Sequence, residues 1–313
     1  MLSGYPSNVR TGHYSPLRYP GGKGKLARFM KEIIRSNGLS DGRYIEPYAG
    51  GAAVAWELLL TGVVRRVSIN DISLPVFAFW HSVLNATNDL CREIRDCPLT
   101  IEEWDRQREV FRHANQVDHL SLGFSFFFMN RTNRSGILNG GVIGGRGQAG
   151  EWKIDARFNK SDLIAKIEKI ASLRSRIELT NLDAVKFIRA NIKRFGKKTL
   201  FYIDPPYFEK GRFLYYDAYR EEDHATVAEC IKELKELSWV VSYDDVRPIH
   251  DLYAKCPWLQ YTFNYSARNI VRGREVMFFS RNLIVPEVTA PLDEIDRDFR
   301  RHPKPVSMRE FAA

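Results

Sequence analysis

Residues 199–207 read TLFYIDPPY, a short β-branched and aromatic run that ends in an aspartate followed by two prolines. The run predicts a buried strand, and consecutive prolines cannot donate to a ladder, so the strand has to stop at Asp204. In an open α/β sheet, ligands bind at the carboxyl ends of the strands. The chain is thereby constrained to a sheet that carries a carboxylate at its functional edge. Each residue of the tetrapeptide has a use there. Asp204 accepts a hydrogen bond from an exocyclic N–H, and Pro205 and Pro206 fix a backbone whose carbonyl offers a second acceptor. Tyr207 has a ring that stacks on a heteroaromatic base. Read alone, the four residues also fit a strand end with an Asp-capped Pro-Pro turn, the less favoured of the two readings.

Further motifs narrow the choice. Residues 44–60, YIEPYAGGAAVAWELLL, read as a strand, an acidic residue, a small-residue turn and an Ala-rich helix. This strand-loop-helix unit opens many nucleotide-binding α/β sheets. It lacks the glycine spacing of the dinucleotide fingerprint, and Glu46 would repel a pyrophosphate. A carboxylate at that place suits a cationic or hydroxyl-bearing ligand. About 20 residues on, VSIND ends a second strand at Asp71, where an acidic side chain meets ribose hydroxyls in such folds. Upstream, residues 15–30 read SPLRYPGGKGKLARFM. Their spacing does not match a Walker A loop, so Lys23 is expected to approach an anionic group such as a ligand carboxylate.

The order of PGGK, the strand with its acidic residue and Ala-Gly-Gly-Ala loop, Asn-Asp and Asp-Pro-Pro-Tyr resembles the DNA adenine methylase (Dam-like) family of S-adenosylmethionine-dependent amino-methyltransferases. The likeness covers roughly residues 15 to 280 and includes FFFMNRTNRSGILNGG, residues 126–141, similar to that family's N-R-x-x-x-x-G signature. The loop after the first strand departs from the family's usual Phe- and Gly-rich form, which alters the lining of the cofactor pocket. The resemblance implies a Rossmann-like methyltransferase α/β fold: a mostly parallel sheet with an antiparallel C-terminal strand, helices on both faces, and an inserted, largely helical target-recognition subdomain. It implies S-adenosylmethionine as cofactor, held by Tyr19, Gly22, Lys23, Glu46, Pro47, Tyr48, Ala49, Gly50, Gly51, Asp71, Asp183 and Asp204. Asp183 would contact the cofactor adenine, and an N-cap for the following helix is an equally open reading of that residue. Catalysis would fall to Asp204, Pro205, Pro206 and Tyr207. DNA contact would fall to Asn130, Arg131, Asn133, Arg134 and Arg146.

The remaining residues agree with a polyanionic partner. Lysine and arginine number 47 against 38 acidic residues, a net charge of +9. Residues 119–150 contain no Asp, Glu or Lys but carry Arg131, Arg134 and Arg146, so a Gly-rich segment with only positive fixed charges is expected beside a phosphate backbone. Strand-helix alternation fails between about 88 and 153. The expected organisation is a first core part (1–87), an inserted recognition region (88–153), a second core part with the Asp-Pro-Pro-Tyr site (154–285) and an accessory tail (286–313). Within the insertion, Arg131 is expected to support the fold or a phosphate, and Arg134 to read bases.

Four cysteines without a C-x-x-C pair or a histidine at ligand spacing speak against a metal centre or a disulfide framework. No run reaches the roughly 18 apolar residues of a membrane span, and the first ten residues lack a signal-peptide core, so a soluble cytoplasmic protein is expected. The expected partner is double-stranded DNA, with a cognate restriction endonuclease or another defence-system component as the class of protein partner. The alternatives are a cytosine-N4 enzyme, an RNA adenine enzyme and a catalytically silent nucleic-acid-binding homologue. The resembling cytosine enzymes usually carry Ser, and the RNA enzymes Asn, where this chain has Asp204.

Overall fold

A computed structural model describes residues 14–18, 23–209, 219–264 and 272–299. Five parallel strands, β1 (Arg43–Glu46), β2 (Arg66–Asn70), β3 (Ile177–Thr180), β4 (Thr199–Ile203) and β5 (Ser238–Asp244), lie in the order β3-β2-β1-β4-β5. The order reverses between β1 and β4, the crevice where such sheets bind ligands. Beyond β5 the sheet continues antiparallel through β7 (Arg272–Phe279), β6 (Trp258–Asn264) and β8 (Asp293–Asp298). The expected mostly parallel sheet with an antiparallel carboxyl-terminal part is therefore present.

Residue alternation along each strand assigns the two faces. Tyr44, Leu200, Tyr202 and Val240 enter one core, together with α1 (Ala27–Ser36), α2 (Ala53–Leu60), α3 (Leu74–Asn85), α4 (Thr87–Asp96), α5 (Ile101–Arg112), α6 (His119–Thr132) and α7 (Lys160–Ala171). Ile45, Phe201, Ile203 and Val241 enter the other, with α8 (Ala184–Asn191), α9 (Glu221–Lys232) and α10 (Arg247–Leu252). All five residues of β4 are buried, which is why its sequence is an unbroken apolar run rather than an alternating one. Each such side chain contributes about 1.5–3 kcal/mol by leaving water.

The helices between β2 and β3 sit where their caps and patterns predict. Thr100 caps α5, Asp118 caps α6 and Asn159 caps α7, each accepting a backbone N–H of the first turn. The helix α6 is apolar on nearly every side because it is buried between α3, α4 and α5. Gly123 permits the closest of these approaches: a Cβ there would lie 2.7 Å from the Ala78 carbonyl oxygen of α3. Absent from the sequence reading are α4, α10 and the strand β8. Its residues, DEIDRD, cover the edge strand β6 and face solvent, so no apolar alternation marks them. Charges on such an edge discourage further strand pairing.

Candidate active site at the carboxyl edge of the sheet

Asp204 follows the last residue of β4 at once, and its side chain is 21% exposed in the crevice between β4 and β1. Ser242 on β5 donates to Asp204 Oδ1 at 2.7 Å, and Tyr202 shares a 2.8 Å hydrogen bond with the same Ser242 hydroxyl. Lys23 Nζ, from the short 3-10 turn that opens α1, lies 3.4 Å from that same oxygen. Among the described residues, the polar contacts of Asp204 thus fall on Oδ1. Burial raises the Asp204 carboxyl above the usual carboxylate range, with the Lys23 ammonium opposing the shift.

Lys23 was expected to face a ligand carboxylate, but the protein's own carboxylates hold it. Besides Asp204, its ammonium donates to Glu275 Oε2 at 2.8 Å and to the Tyr207 hydroxyl. Burial pushes the Lys23 ammonium down, and the two carboxylates outweigh this to give a net upward shift. Glu275 lies on β7 and is wholly buried; Tyr207 donates to its Oε1, and Tyr261 on β6 donates to its Oε2 at 2.7 Å. The motif reading did not single out Glu275. Nothing in GREVMFFS marks one strand glutamate as different until three elements from distant parts of the chain converge on it.

The cofactor-side residues gather at the ends of β1, β2 and β3. Glu46 is buried, and burial together with the Asp204 charge pushes its carboxyl up to about 8. The turn after it places Gly50 and Ala52 in the left-handed region, each at φ 46°. For Ala52 this strain is held by the surrounding loop. The Trp80 indole donates to the Gly50 carbonyl at 2.9 Å, and Ser15 Oγ donates to the Gly51 carbonyl at 2.6 Å. Asp71 accepts from the Gly50 N–H at 2.8 Å through one oxygen and from the Ser73 N–H at 2.9 Å through the other. These two bonds fix the orientation of the Asp71 carboxylate at the end of β2.

Asn70 donates to the Pro47 and Leu182 carbonyls at 3.0 and 2.9 Å, joining the loops that follow β1 and β3. Asp183 caps α8 by accepting the Lys186 N–H at 3.0 Å. Tyr48 shares a 3.0 Å hydrogen bond with Tyr219. Ala49 is buried in the turn. Tyr19 and Gly22 lie outside the described residues. Two side chains that the motifs did not identify, Ile72 and Leu182, stand 54% and 42% exposed directly beside Asp71 and Asp183. Singly exposed apolar groups are common on protein surfaces, and these two lie just past the ends of β2 and β3.

In the inserted region the structure corrects two expectations. Asn130 and Asn133 are buried, and their amides are engaged internally rather than facing a partner. Asn130 accepts the Arg18 N–H at 2.8 Å and donates to the Arg18 carbonyl at 2.7 Å. Asn133 accepts the Trp104 indole N–H at 2.7 Å and donates to the Ile137 and Leu138 carbonyls at 3.1 and 2.7 Å. A polar side chain in a packed interior has to satisfy its hydrogen bonds, and the turns of this Gly-rich segment supply the carbonyls. Gly136 completes the arrangement at φ 75°, where a Cβ would lie 2.5 Å from the Arg18 carbonyl oxygen.

Arg131 is half-buried and donates to the Pro16 and Arg157 carbonyls. Burial and the neighbouring Arg18 and Arg157 guanidinium groups bring its pKa down to about 10. Arg134 is exposed, with Nε donating to the Gly140 carbonyl at 2.8 Å. Arg146 is exposed and forms a bidentate pair with Asp105 at 2.7 and 2.8 Å. Among the described residues, no group of three or more His, Cys, Asp or Glu side chains is arranged to hold a metal. Nor is any helix there long and apolar enough to cross a membrane.

The type II methyltransferase M.MjaIII of Methanocaldococcus jannaschii is 24% identical over 229 residues, 66% of this chain and 73% of that protein. Similar solved structures include a SAM-dependent methyltransferase from Agrobacterium tumefaciens, with TM-score 0.40 and 9% identity, covering 83% of this chain. This chain spans 62% of that structure's length. The rRNA methyltransferase AviRa from Streptomyces viridochromogenes has TM-score 0.39 and 12% identity, with 85% of this chain and 88% of that one covered. At these scores the two structures bear no argument, and the sheet order described above stands on its own. The family model of the D12 class N6 adenine-specific DNA methyltransferases matches residues 19–267, and the chain belongs to that family.

Proposed function

We propose that the chain is a site-specific DNA adenine-N6 methyltransferase acting on an adenine flipped out of duplex DNA. The methyl donor of this family is S-adenosylmethionine. The observation that carries the reading is the asymmetry of Asp204, whose contacts with Ser242 and Lys23 both engage Oδ1 and leave Oδ2 for an incoming amine.

The donor set suits the cofactor. In this reading Glu46 and Asp71 meet its cationic and ribose hydroxyl groups, and Ile72 and Leu182 flank its purine next to Asp183. The loop of Pro47, Tyr48, Ala49, Gly50 and Gly51 closes over it. When bound, the cofactor supplies an electrophilic methyl group on a sulfonium. The protein's task is to present the nucleophile. Adenine N6 is a poor one because its lone pair is delocalised into the ring. Asp204 Oδ2 and the Pro205 carbonyl would accept the two N6 protons and favour a pyramidal nitrogen, while Pro206 fixes the turn. Positioning of this kind supplies about 7–11 kcal/mol in well-oriented reactions. The proton lost by N6 passes to Asp204, whose raised pKa suits an acceptor.

Base flipping costs a few kcal/mol. Stacking on Tyr207 returns about 1–3 kcal/mol. The Tyr207 ring is only 8% exposed in this state, so the base has to displace what covers it.

Residues 1–87 and 154–285 serve in this reading as the catalytic core and 88–153 as the recognition region, with 286–313 accessory. The cluster of Arg18, Arg131 and Arg157 and the exposed Arg134 supply positive charge for a phosphate backbone. A cognate endonuclease and a cytoplasmic, nucleoid-associated setting accompany this role. Expression in a host without adenine methylation, followed by single-molecule sequencing, tests it. N6-methyladenine recurring in one short sequence is expected. Unmodified DNA in the presence of a folded, cofactor-binding protein would remove the reading.

A further inference from the structure

We propose that Glu275 is a positioning residue that keeps Lys23 from monopolising Asp204 and fixes the plane of Tyr207, so that the carboxylate stays available to the target amine. The inference rests on the adenine-methyltransferase reading and deepens it. Lys23 Nζ lies 2.8 Å from Glu275 Oε2 but 3.4 Å from Asp204 Oδ1, so the ammonium sits closer to the residue that does no chemistry. Tyr207 is held by its hydroxyl, which accepts from Lys23 and donates to Glu275 Oε1. Tyr261 braces the other oxygen. A fully buried carboxylate is costly unless it is paired and hydrogen-bonded, and here the compensation comes from groups that line the reaction site.

The physical consequence concerns what Asp204 can accept. An ammonium bonded tightly to Asp204 would take up acceptor capacity and weaken its basicity, whereas one drawn toward Glu275 stabilises the pair of carboxylates without occupying Oδ2. The groups facing Asp204 are Lys23 from the turn before α1, Tyr44 and Glu46 from β1, and Tyr202 from β4. Ser242 faces it from β5, Tyr261 from β6 and Glu275 from β7, while Tyr243 of β5 packs in the core on the opposite face of the sheet and acts on it only through space. Of the carboxylates in this set, Glu275 is the one that contacts Lys23 directly along with Asp204.

The test is the pH profile of single-turnover methylation with Glu275→Gln in the full chain, after wild-type transfer to adenine has been observed. The acidic limb of the profile reports the group that must be deprotonated, assigned here to Asp204. Removing the Glu275 charge removes a like charge from Asp204 and shifts Lys23 toward it, and both changes lower the Asp204 pKa. The limb therefore moves to lower pH by about one unit. The rate at neutral pH falls about 10- to 100-fold, because a 1 Å misplacement of a reacting group can cost on the order of 10²-fold. S-adenosylmethionine affinity by calorimetry stays near the wild-type value.

Glu275→Asp keeps the charge but retracts it by one methylene, and it moves the limb the same way by less. It is the variant to read if the glutamine variant does not fold. A limb that stays in place in a folded variant, whatever happens to the rate, overturns the inference, and failure of both variants to fold assigns Glu275 to the fold alone. A wild type that methylates no adenine would instead sink the underlying activity, a result independent of the Glu275 variants.

Discussion

The carboxyl edge of the sheet and the inserted helical region accommodate polar groups in opposite ways. At the edge, charges are buried: Asp204, Glu275 and Lys23 compensate one another over 2.8 to 3.4 Å, and Glu46 is kept largely protonated at neutral pH by its surroundings. In the insertion, the buried polar groups are mostly neutral, among them Gln107, Asn130 and Asn133, with Glu103 a buried carboxylate paired to Arg106, while the exposed charges include Arg134 and Arg146. A neutral amide costs little to bury once its hydrogen bonds are made, whereas a buried charge is costly unless it is paired and hydrogen-bonded. The contrast teaches that substitutions at the edge should alter chemistry and leave the fold, and that substitutions of the insertion's amides should do the reverse.

The sharpest test of the first half is Asp204→Ala. Methylation should fall by about 10²–10³ or more, the cost of losing a group that acts in the transition state, with an unchanged melting temperature. A folded alanine variant that methylates normally would break the contrast at its strongest point. The second half is tested by Asn133→Ala, which leaves the Trp104 indole N–H and the Ile137 and Leu138 carbonyls without that partner. Denaturant unfolding should show a loss of about 3 kcal/mol. An equally stable variant with altered sequence preference would return Asn133 to the DNA interface.

Asp71→Ala comes next. Calorimetry should show S-adenosylmethionine binding weakened by about 1.5–3 kcal/mol while DNA affinity holds, because the proposed ribose contact and the anchor of Gly50 would be lost together. In the insertion, Arg134→Ala should cost about 1–3 kcal/mol on the cognate site and little on scrambled duplexes if it reads a base. A uniform loss with a salt slope lowered by about 0.9 would make it a phosphate contact. Arg146→Ala is its control. The exposed pair with Asp105 is expected to leave the melting temperature unmoved, as solvent-facing ion pairs commonly do.

A different kind of effect is a pH dependence at Glu46. Its carboxyl stays protonated in the folded protein up to about 8 but ionises in the unfolded chain near the ordinary 4.5. The unfolded state therefore binds fewer protons between those values, and folding stability falls as pH rises through the window. Glu46→Gln should remove that decline and make the cofactor-free protein more stable than wild type at pH 8, by on the order of a few kcal/mol. Parallel stability curves for the two proteins from pH 5 to 8 would show that Glu46 ionises normally.

Much of the edge was legible because backbone chemistry wrote it. Two prolines end β4, small residues mark the turn after β1, and Asn70-Asp71 ends β2. Those signals are local. Glu275, Ser242, Ile72 and Leu182 carry no local signal, since each looks like an ordinary strand or loop residue until distant elements fold around it. The same limit misassigned Asn130 and Asn133. Polar residues beside an arginine in a Gly-rich stretch suggest an outward interface, and only the packing of α6 against Trp104 and the Arg18 backbone shows that they point inward. The strand β8 escaped for a different reason: an edge strand wet on both sides has no periodicity to read.

The grip of Asn130 and Gly136 on the main chain of Arg18 limits how such a protein can be re-engineered. Lys23 follows only five residues after the clasped position. A target-reading segment transplanted from a relative would arrive with its own base contacts, yet it would be inert unless it also brought an amide and a glycine shaped to seize the same peptide. If the inserted region reads the target, as proposed, it is not a cartridge that slots into a finished catalyst. It is one jaw of the vice that holds the main chain at Arg18, and changes of target sequence would fall on residues outside that jaw.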